Sequence, residues 1–292
     1  MRRRLIVASR PLHGLGNRVR VVLSGQALAY ATNRSFDYHW PVGTAFGARL
    51  TDLWDFQDSI SAASNLALRV LAPYRDATAL VRDPDADRRP LWHIRSGNAL
   101  PLPDGAPDWH AALAALTLQA DLTATVRSLH GREFGSRPYV GVMVRTHETA
   151  HDQTKLHSPL SWYVRRMQEL REELDGIEFY LSCDTAQAQT ELKRLFPGSA
   201  SLRKSGAYNS RQAIGEAVID LYLLASSCHI LGPHYSSFPE LAHFLTLGQV
   251  PLETSVGDSY ARVRPPVTLS VAVDPVVPRL REPAGRDPRS VA

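Results

Sequence analysis

Tyr139-Val140-Gly141-Val142-Met143-Val144-Arg145 is the stretch on which the fold turns. Every residue before Arg145 is apolar or glycine, and Val140, Val142 and Val144 recur with the period of a strand. A strand apolar on both sides is buried on both sides, as in parallel sheets covered by helices. Ile177-Glu178-Phe179-Tyr180-Leu181-Ser182-Cys183 repeats the type and ends at Asp184. Between the two, Ser158 as cap and Pro159 in the first turn open a helix to about 174, stopped by Gly176. Further helices are expected over 184–196, before Pro197, and over 212–225. Short strands are expected over 199–203 and at Cys228-His229-Ile230-Leu231. Ser237-Phe238-Pro239-Glu240 has the S-x-x-E form of a capping box and heads a helix to 247. Strands and helices alternating at this spacing imply an α/β fold with a parallel sheet.

Towards the N-terminus the same grammar recurs. Leu5-Ile6-Val7-Ala8 reads as a strand, Pro11-Leu12-His13-Gly14-Leu15-Gly16 as a turn, 17–33 as a helix and 35–40 as a second strand. Residues 109–129 read as one long helix, with Leu113, Leu116, Leu118, Leu122 and Val126 at its apolar positions. The expected organisation is an N-terminal α/β domain over 1–135, a Rossmann-type domain over 136–270, and a Pro/Arg-rich tail over 271–292, surface-bound or disordered.

Composition narrows the classes. The 292 residues carry 33 Lys+Arg against 29 Asp+Glu, a net +4 that is too mild for a nucleic-acid-binding protein. Cys183 and Cys228 cannot make a disulfide framework or a cysteine zinc site. Met1-Arg2-Arg3-Arg4 precedes only a short apolar run, so no export signal is read. The apolar stretch 213–231 is interrupted by Glu216, Asp220 and His229, so no membrane span is expected. The expectation is a soluble, cytoplasmic protein.

Ligands of open α/β sheets bind beyond the carboxyl ends of the strands. Arg145, Asp184 and the Ser236-Ser237 turn all fall at such ends. Arg145 offers a bidentate phosphate donor. Ser236 and Ser237 offer hydroxyls and the free amides of a helix start. Asp184 either accepts hydrogen bonds from a ribose or base, or merely caps the next helix. Together they suit a nucleoside diphosphate. Gly14-Leu15-Gly16-Asn17-Arg18 is a glycine turn at another helix start. It has Val19 where a dinucleotide fingerprint needs a third glycine, and it lacks the Gly-Lys-Ser/Thr of a P-loop.

The order of these motifs resembles the fucosyltransferase superfamily, with its NodZ-type, α-1,6- and protein O-fucosyltransferases. Gly14 to Arg18, with Ala29-Tyr30-Ala31-Thr32-Asn33-Arg34, is similar to its opening. Val140 to Arg145 is similar to its G-V-H-V-R-R strand. Phe179 to Asp184 is similar to its second motif, and Ala217-Val218-Ile219-Asp220-Leu221 through Ser236-Ser237 to its third. The resemblance implies a GT-B-like pair of Rossmann-type domains. It also implies inverting transfer from a nucleotide-diphospho sugar, GDP-fucose or a related GDP-sugar, to a hydroxyl acceptor that the sequence does not identify, with no metal or other cofactor. Arg145 would hold the β-phosphate, Ser236 and Ser237 the diphosphate, and Asp184 the guanine. Gly14, Gly16, Asn17 and Arg18 would line the donor site. Glu148 and Asp152 are alternatives for the acceptor's base. Two positions depart from the pattern. Met143 replaces the histidine that helps hold the base, and Thr146 replaces a second arginine. They motivate a second reading, a relative that binds a nucleotide or glycan without turnover.

A rival motif overlaps the first. His147-Glu148-Thr149-Ala150-His151 is a literal H-E-x-x-H, with His157 at the spacing of a third zinc ligand. A zinc peptidase needs that motif inside a helix, where this sequence reads as the end of a strand. Asp83-Pro84-Asp85-Ala86-Asp87 contains D-x-D but sits in a Pro-rich stretch that reads as a solvated loop.

Overall fold

The computed structural model describes residues 3–83, 85–256, 267 and 269–281. It contains two compact units, Met1–Gln119 with Lys204–Ala217, and Ala120–Arg203 with Val218–Ala292.

The first unit runs β1 (Arg4–Ala8), α1 (Leu15–Ala31), β2 (Ser35–His39), α2 (Ala62–Leu71), α3 (Ala77–Arg82), β3 (Leu91–Arg95) and α4 (Trp109–Ala114). Its sheet is wholly parallel, in the order β2-β1-β3. Ile6 and Val7 in the central strand are fully buried. Helix α1 lies close on β1, because a Cβ at Gly25 would come within 2.7 Å of Val7. The helix ends in a left-handed residue, Asn33 at φ 48°, a common stop for helices.

The second unit runs α5 (Ala120–Glu133), β4 (Tyr139–Val144), α6 (Asp152–His157), α7 (Leu160–Glu173), β5 (Glu178–Cys183), α8 (Ala186–Leu195), α9 (Arg211–Ala225, begun in the first unit), β6 (His229–Leu231), α10 (Ser237–Leu245), β7 (Leu252–Glu253), β8 (Val271–Asp274) and β9 (Val277–Arg281). Its main sheet, β5-β4-β6-β7, is also wholly parallel. Val140, Val142 and Val144 pack with Tyr163, Met167 and Leu170 of α7 and Leu192 of α8. On the opposite face, a Cβ at Gly141 would meet Leu224 of α9 at 2.9 Å. Helices thus cover both faces, as the apolar strand requires.

Several expectations are corrected. The helix expected over 109–129 is broken between α4 and α5. Asp55 N–H donates to Thr117 O (2.8 Å) and Gln119 N–H to Leu53 O (3.0 Å), so these backbone groups bond across the unit instead of along a helix. The units divide at 119/120 rather than 135/136, because α5 belongs to the second core: Phe134, just beyond it, stacks on Tyr139 at 3.7 Å. Residues 204–217 return to the first unit, where Gly47 N–H donates to Asn209 O (2.8 Å) and Arg211 pairs with Asp52 (2.8 Å). Residues 199–203 form no strand, only one bridge between Tyr180 and Ala200; the two-residue β7 fills the fourth place. The expected tail begins as an antiparallel hairpin, β8-β9, joined to α5 by Arg127–Asp274 at 2.7 Å. The remainder, 282–292, lies outside the described residues, as does Pro84 of the D-x-D stretch. No helix among the described residues is long and apolar enough to cross a membrane.

Both sheets reverse direction at their central strand. From β4 the chain adds β5 on one side, then crosses back to place β6 on the other. The loops after β4 and β6 therefore leave the sheet at its point of reversal, the usual ligand position in such sheets. In the first unit the same reversal occurs between β1 and β3.

Candidate functional site

Arg145 is the first residue after β4. It is half-buried and has no hydrogen-bond, ion-pair or ring partner among the described residues. Its guanidinium nitrogens are not among the buried polar atoms, so its five donors are open to solvent or to an anion. Register brings the β6 loop beside it: Val142 pairs with Leu231, so Met143 and Arg145 continue alongside residues 232–234 on strands about 4.8 Å apart.

Asp184 is not the cap of α8. Thr185 takes that role, accepting from Ala188 N–H. The Asp184 carboxylate instead gathers the loop that follows Arg145. Oδ1 accepts from Thr146 N–H (2.8 Å) and His147 N–H (3.2 Å), and Oδ2 also accepts from His147 N–H (3.2 Å). The Thr146 and Thr185 hydroxyls bond at 2.7 Å. Met143, expected at the nucleotide, is only 6 % exposed. It shares the α9-facing side of β4 with Gly141, so its side chain packs towards α9. On the same side Asp220 of α9 accepts from Tyr180 Oη (2.5 Å) and Ser182 Oγ (2.8 Å). The aspartate of the third sequence motif is therefore a strut between α9 and β5. Burial, followed by the Asp220 charge, pushes the Tyr180 hydroxyl well above its usual pKa.

The H-E-x-x-H segment is a turn. Ala150 N–H donates to His147 O (2.9 Å), and His151 caps α6 by accepting from Gln153 N–H. The two histidines therefore lack the helical i, i+4 register of a zinc peptidase, and that reading falls. No group of three metal-ligating side chains is found among the described residues. Glu148 is exposed, and its carbonyl accepts from Lys155 Nζ (2.6 Å). Asp152 is almost fully exposed, 4.0 Å from Lys155.

The turn before α10 is held by residues whose sequence gave no sign of that role. Ser158 was expected to cap α7, but Pro159 is the cap. The Ser158 hydroxyl accepts from His234 N–H (2.8 Å), and Thr154 Oγ1 donates to His234 O (3.0 Å). Tyr235 is left-handed, φ 61°, a strained conformation for an aromatic residue. Ser236, 8 % exposed, is the N-cap of α10, yet its hydroxyl makes no capping bond and has no partner among the described residues. The capping box at Ser237 and Glu240 does not form, since Ser237 is already helical. Gly232 lets the helix start close to β6: a Cβ there would lie 2.8 Å from Pro239. An orphan hydroxyl and a helix start thus follow β6, and an open guanidinium follows the neighbouring β4; free amides at a helix start are suited to anions.

In the first unit, Gly14 is the N-cap of α1 at φ −71°, and a Cβ there would meet nothing within 4 Å. Neither backbone strain nor packing demands this glycine, and the space before it is open. Gly16 is buried in the first helical turn and Asn17 is half-buried beside it. Arg18 departs from expectation. It is fully buried, donates to Pro11 O, His13 O and Pro41 O, each at 2.7 Å, and lies 4.1 Å over the Phe46 ring. Burial pushes its pKa down to about 10. It fastens the loops after β1 and β2, with its donors committed to the chain itself.

No protein-family model and no curated protein sequence matches this chain. Solved structures do. Fucosyltransferase NodZ from Bradyrhizobium is 18% identical, with 84% of this chain and 94% of that chain covered and a TM-score of 0.60. NodZ α-1,6-fucosyltransferase soaked with GDP-fucose is likewise 18% identical over 84% and 93%, TM-score 0.58. POFUT1 in complex with GDP is 12% identical over 86% and 98%, TM-score 0.52. Two α/β units with parallel main sheets, matched over most of the chain by these structures, give it a fucosyltransferase-like α/β fold.

Proposed function

We propose that the protein is an inverting glycosyltransferase that takes a sugar from a nucleotide-diphospho sugar, GDP-fucose or a related GDP-sugar, and transfers it to a hydroxyl acceptor. The observation that carries this reading is Arg145, half-buried and without a partner among the described residues, at the end of β4, the strand that pairs with β6 ahead of the Ser236 turn. The similarity to NodZ soaked with GDP-fucose and POFUT1 in complex with GDP supports it at the level of fold.

In this mechanism the diphosphate sits against Ser236, Ser237 and the start of α10. The acceptor oxygen attacks the anomeric carbon as its bond to the β-phosphate oxygen breaks, through an oxocarbenium-like transition state. Arg145 neutralises the charge that grows on the leaving diphosphate. The acceptor proton passes to a carboxylate of the following loop, Glu148 or Asp152, or to water. Asp184 keeps a free lone pair on Oδ2 for a donor on the base or ribose.

The test is a thermal-shift series with GDP, UDP and dTDP, followed by donor turnover. GDP should raise the melting temperature by mass action. Arg145→Ala should lose that shift and lower turnover by roughly 10²–10³-fold while remaining folded. Full activity in this variant refutes the assignment. Thr146 in place of a second arginine favours one alternative, a binding protein without turnover. Saturable GDP binding with no sugar release on long incubation would establish it.

A further inference from the structure

Helix α2 is inverted. Its inward residues are Asn65, Leu68 and Ala72, and Asn65 is only 7 % exposed. The Asn65 carboxamide bonds to Tyr74 Oη (3.0 Å) and His93 Nε2 (3.1 Å). Its apolar stripe, Ala63, Leu66, Ala67, Val70 and Leu71, follows the i, i+3, i+4, i+7, i+8 spacing that normally faces a core. Here the stripe faces outward: Leu66 is 59 %, Val70 78 % and Leu71 81 % exposed. Scattered exposed apolar residues need no explanation, but a complete helical face does.

Arg69 stands at one edge of the stripe, between Leu66 and the inward Asn65 around the helix. The Arg69 and Arg95 guanidiniums lie 5.6 and 4.7 Å from the Tyr74 ring centre, and Arg75 follows next in sequence. All three are exposed, and none has an acidic partner among the described residues. The nearest carboxylate in sequence, Asp76, caps α3 through Ala79 N–H (2.8 Å).

We infer that this face docks the protein on an anionic lipid surface, with Leu66, Val70 and Leu71 entering the headgroup boundary and Arg69, Arg75 and Arg95 meeting lipid phosphates. Protruding apolar side chains flanked by arginine are the composition of a helix lying in a membrane interface. A second copy of the chain fits poorly on area. The stripe is one ten-residue helix, roughly 15 Å long, too small alone for the ~800 Å² per partner of a stable protein interface. A bilayer needs no matching shape. The inference does not depend on the donor reading, since none of these residues belongs to that site.

The experiment is flotation of the full-length protein with phosphatidylcholine vesicles, with and without phosphatidylglycerol. The expected result is binding only to the anionic vesicles, reduced by added salt. Leu66→Ser/Val70→Ser/Leu71→Ser should abolish flotation. Arg69→Gln/Arg75→Gln should weaken it roughly 30-fold, about fivefold per arginine. Both variants should keep the GDP thermal shift if the donor reading holds, and the wild-type circular dichroism spectrum in any case. Absence of wild-type binding at low salt overturns the inference. So does flotation unchanged in both variants, or dimerisation in sedimentation that the triple-serine variant abolishes.

Discussion

The carboxylate of Asp184, at the end of β5, accepts the backbone N–H of Thr146 at 2.8 Å and so fixes the loop that carries Arg145 away from β4. Two adjacent strand ends become one rigid rim, and the position of the guanidinium depends on a residue far along the chain. Asp184→Asn can retain the Oδ1 acceptor for Thr146 and His147 while turning Oδ2 into a donor, at the loss of its 3.2 Å acceptance from His147 N–H. It should keep nucleotide binding but lose the preference for GDP over UDP. Asp184→Ala should release the loop and weaken every nucleotide by roughly 10–100-fold, the worth of one charged hydrogen bond. Calorimetric titration with both nucleotides checks this. Wild-type selectivity in Asp184→Asn would restrict Asp184 to positioning the loop.

Arg18 makes the corresponding prediction for the first unit. Its guanidinium satisfies three backbone carbonyls with no exposure to water. Arg18→Met strands all three, at about 1–3 kcal/mol for each left unsatisfied. Arg18→Lys fares little better, because an ammonium cannot reproduce the fork. Urea denaturation should show both variants destabilised by several kcal/mol. A variant that lost ligand binding with unchanged stability would instead place Arg18 at the ligand.

These two residues also show what the sequence reveals and what it hides. The strand ends before Arg145 and Asp184 are legible because each closes an apolar run, and strand ends are where parallel sheets bind ligands. Arg18 is not, since an arginine in a first helical turn looks solvated until the loops that bury it are in place. The break between α4 and α5 was hidden for a similar reason. Leu116 and Leu118 continue the helical period of 109–129, and only pairing with residues 53–55 overrides it. The Pro-rich composition near the C-terminus concealed the β8-β9 hairpin. The contacts of Ser158 and Thr154 with His234 join segments nearly eighty residues apart, beyond any local pattern. In helix α2 the apolar period points away from the core, so periodicity there does not mark the buried side.

The second unit is held together by a buried charge cluster. Arg166 of α7 donates to Glu253 Oε1 at 2.7 Å, and His229 of β6 bonds Glu253 Oε2 at 2.9 Å. Burial alone would raise the pKa of Glu253, but hydrogen bonds from His229 and Arg166 outweigh it and hold the carboxyl below its ordinary value. Glu253→Ala leaves Arg166, 2 % exposed, without its main partner, and should cost about 3–5 kcal/mol. Glu253→Gln should cost less, since it keeps one acceptor. Chemical denaturation of the pair gives the answer, and equal, negligible losses would show that the cluster contributes nothing to stability.

The last prediction concerns acid. His93, 1 % exposed, lies with Nδ1 2.8 Å from Ala72 O and Nε2 3.1 Å from Asn65 Oδ1, its ring centre 4.3 Å from that of Tyr74. Burial pushes its pKa below 6.5, outweighing the hydrogen bond to Ala72, and the charge of Arg69 adds to the lowering. Burial likewise lowers the pKa of His13, His39 and His130. A depressed pKa in the folded chain means that its stabilising effect is complete above the unfolded value of 6.5. As the pH falls from there towards the folded pKa, the unfolded chain takes up the proton first and stability declines. Denaturation midpoints should therefore drop between about pH 7.5 and pH 5.5, and His93→Gln should flatten part of that slope. A wild-type profile level across this window would show that the histidines titrate alike in the folded and unfolded chain. A slope unchanged in His93→Gln would assign the loss to the other three.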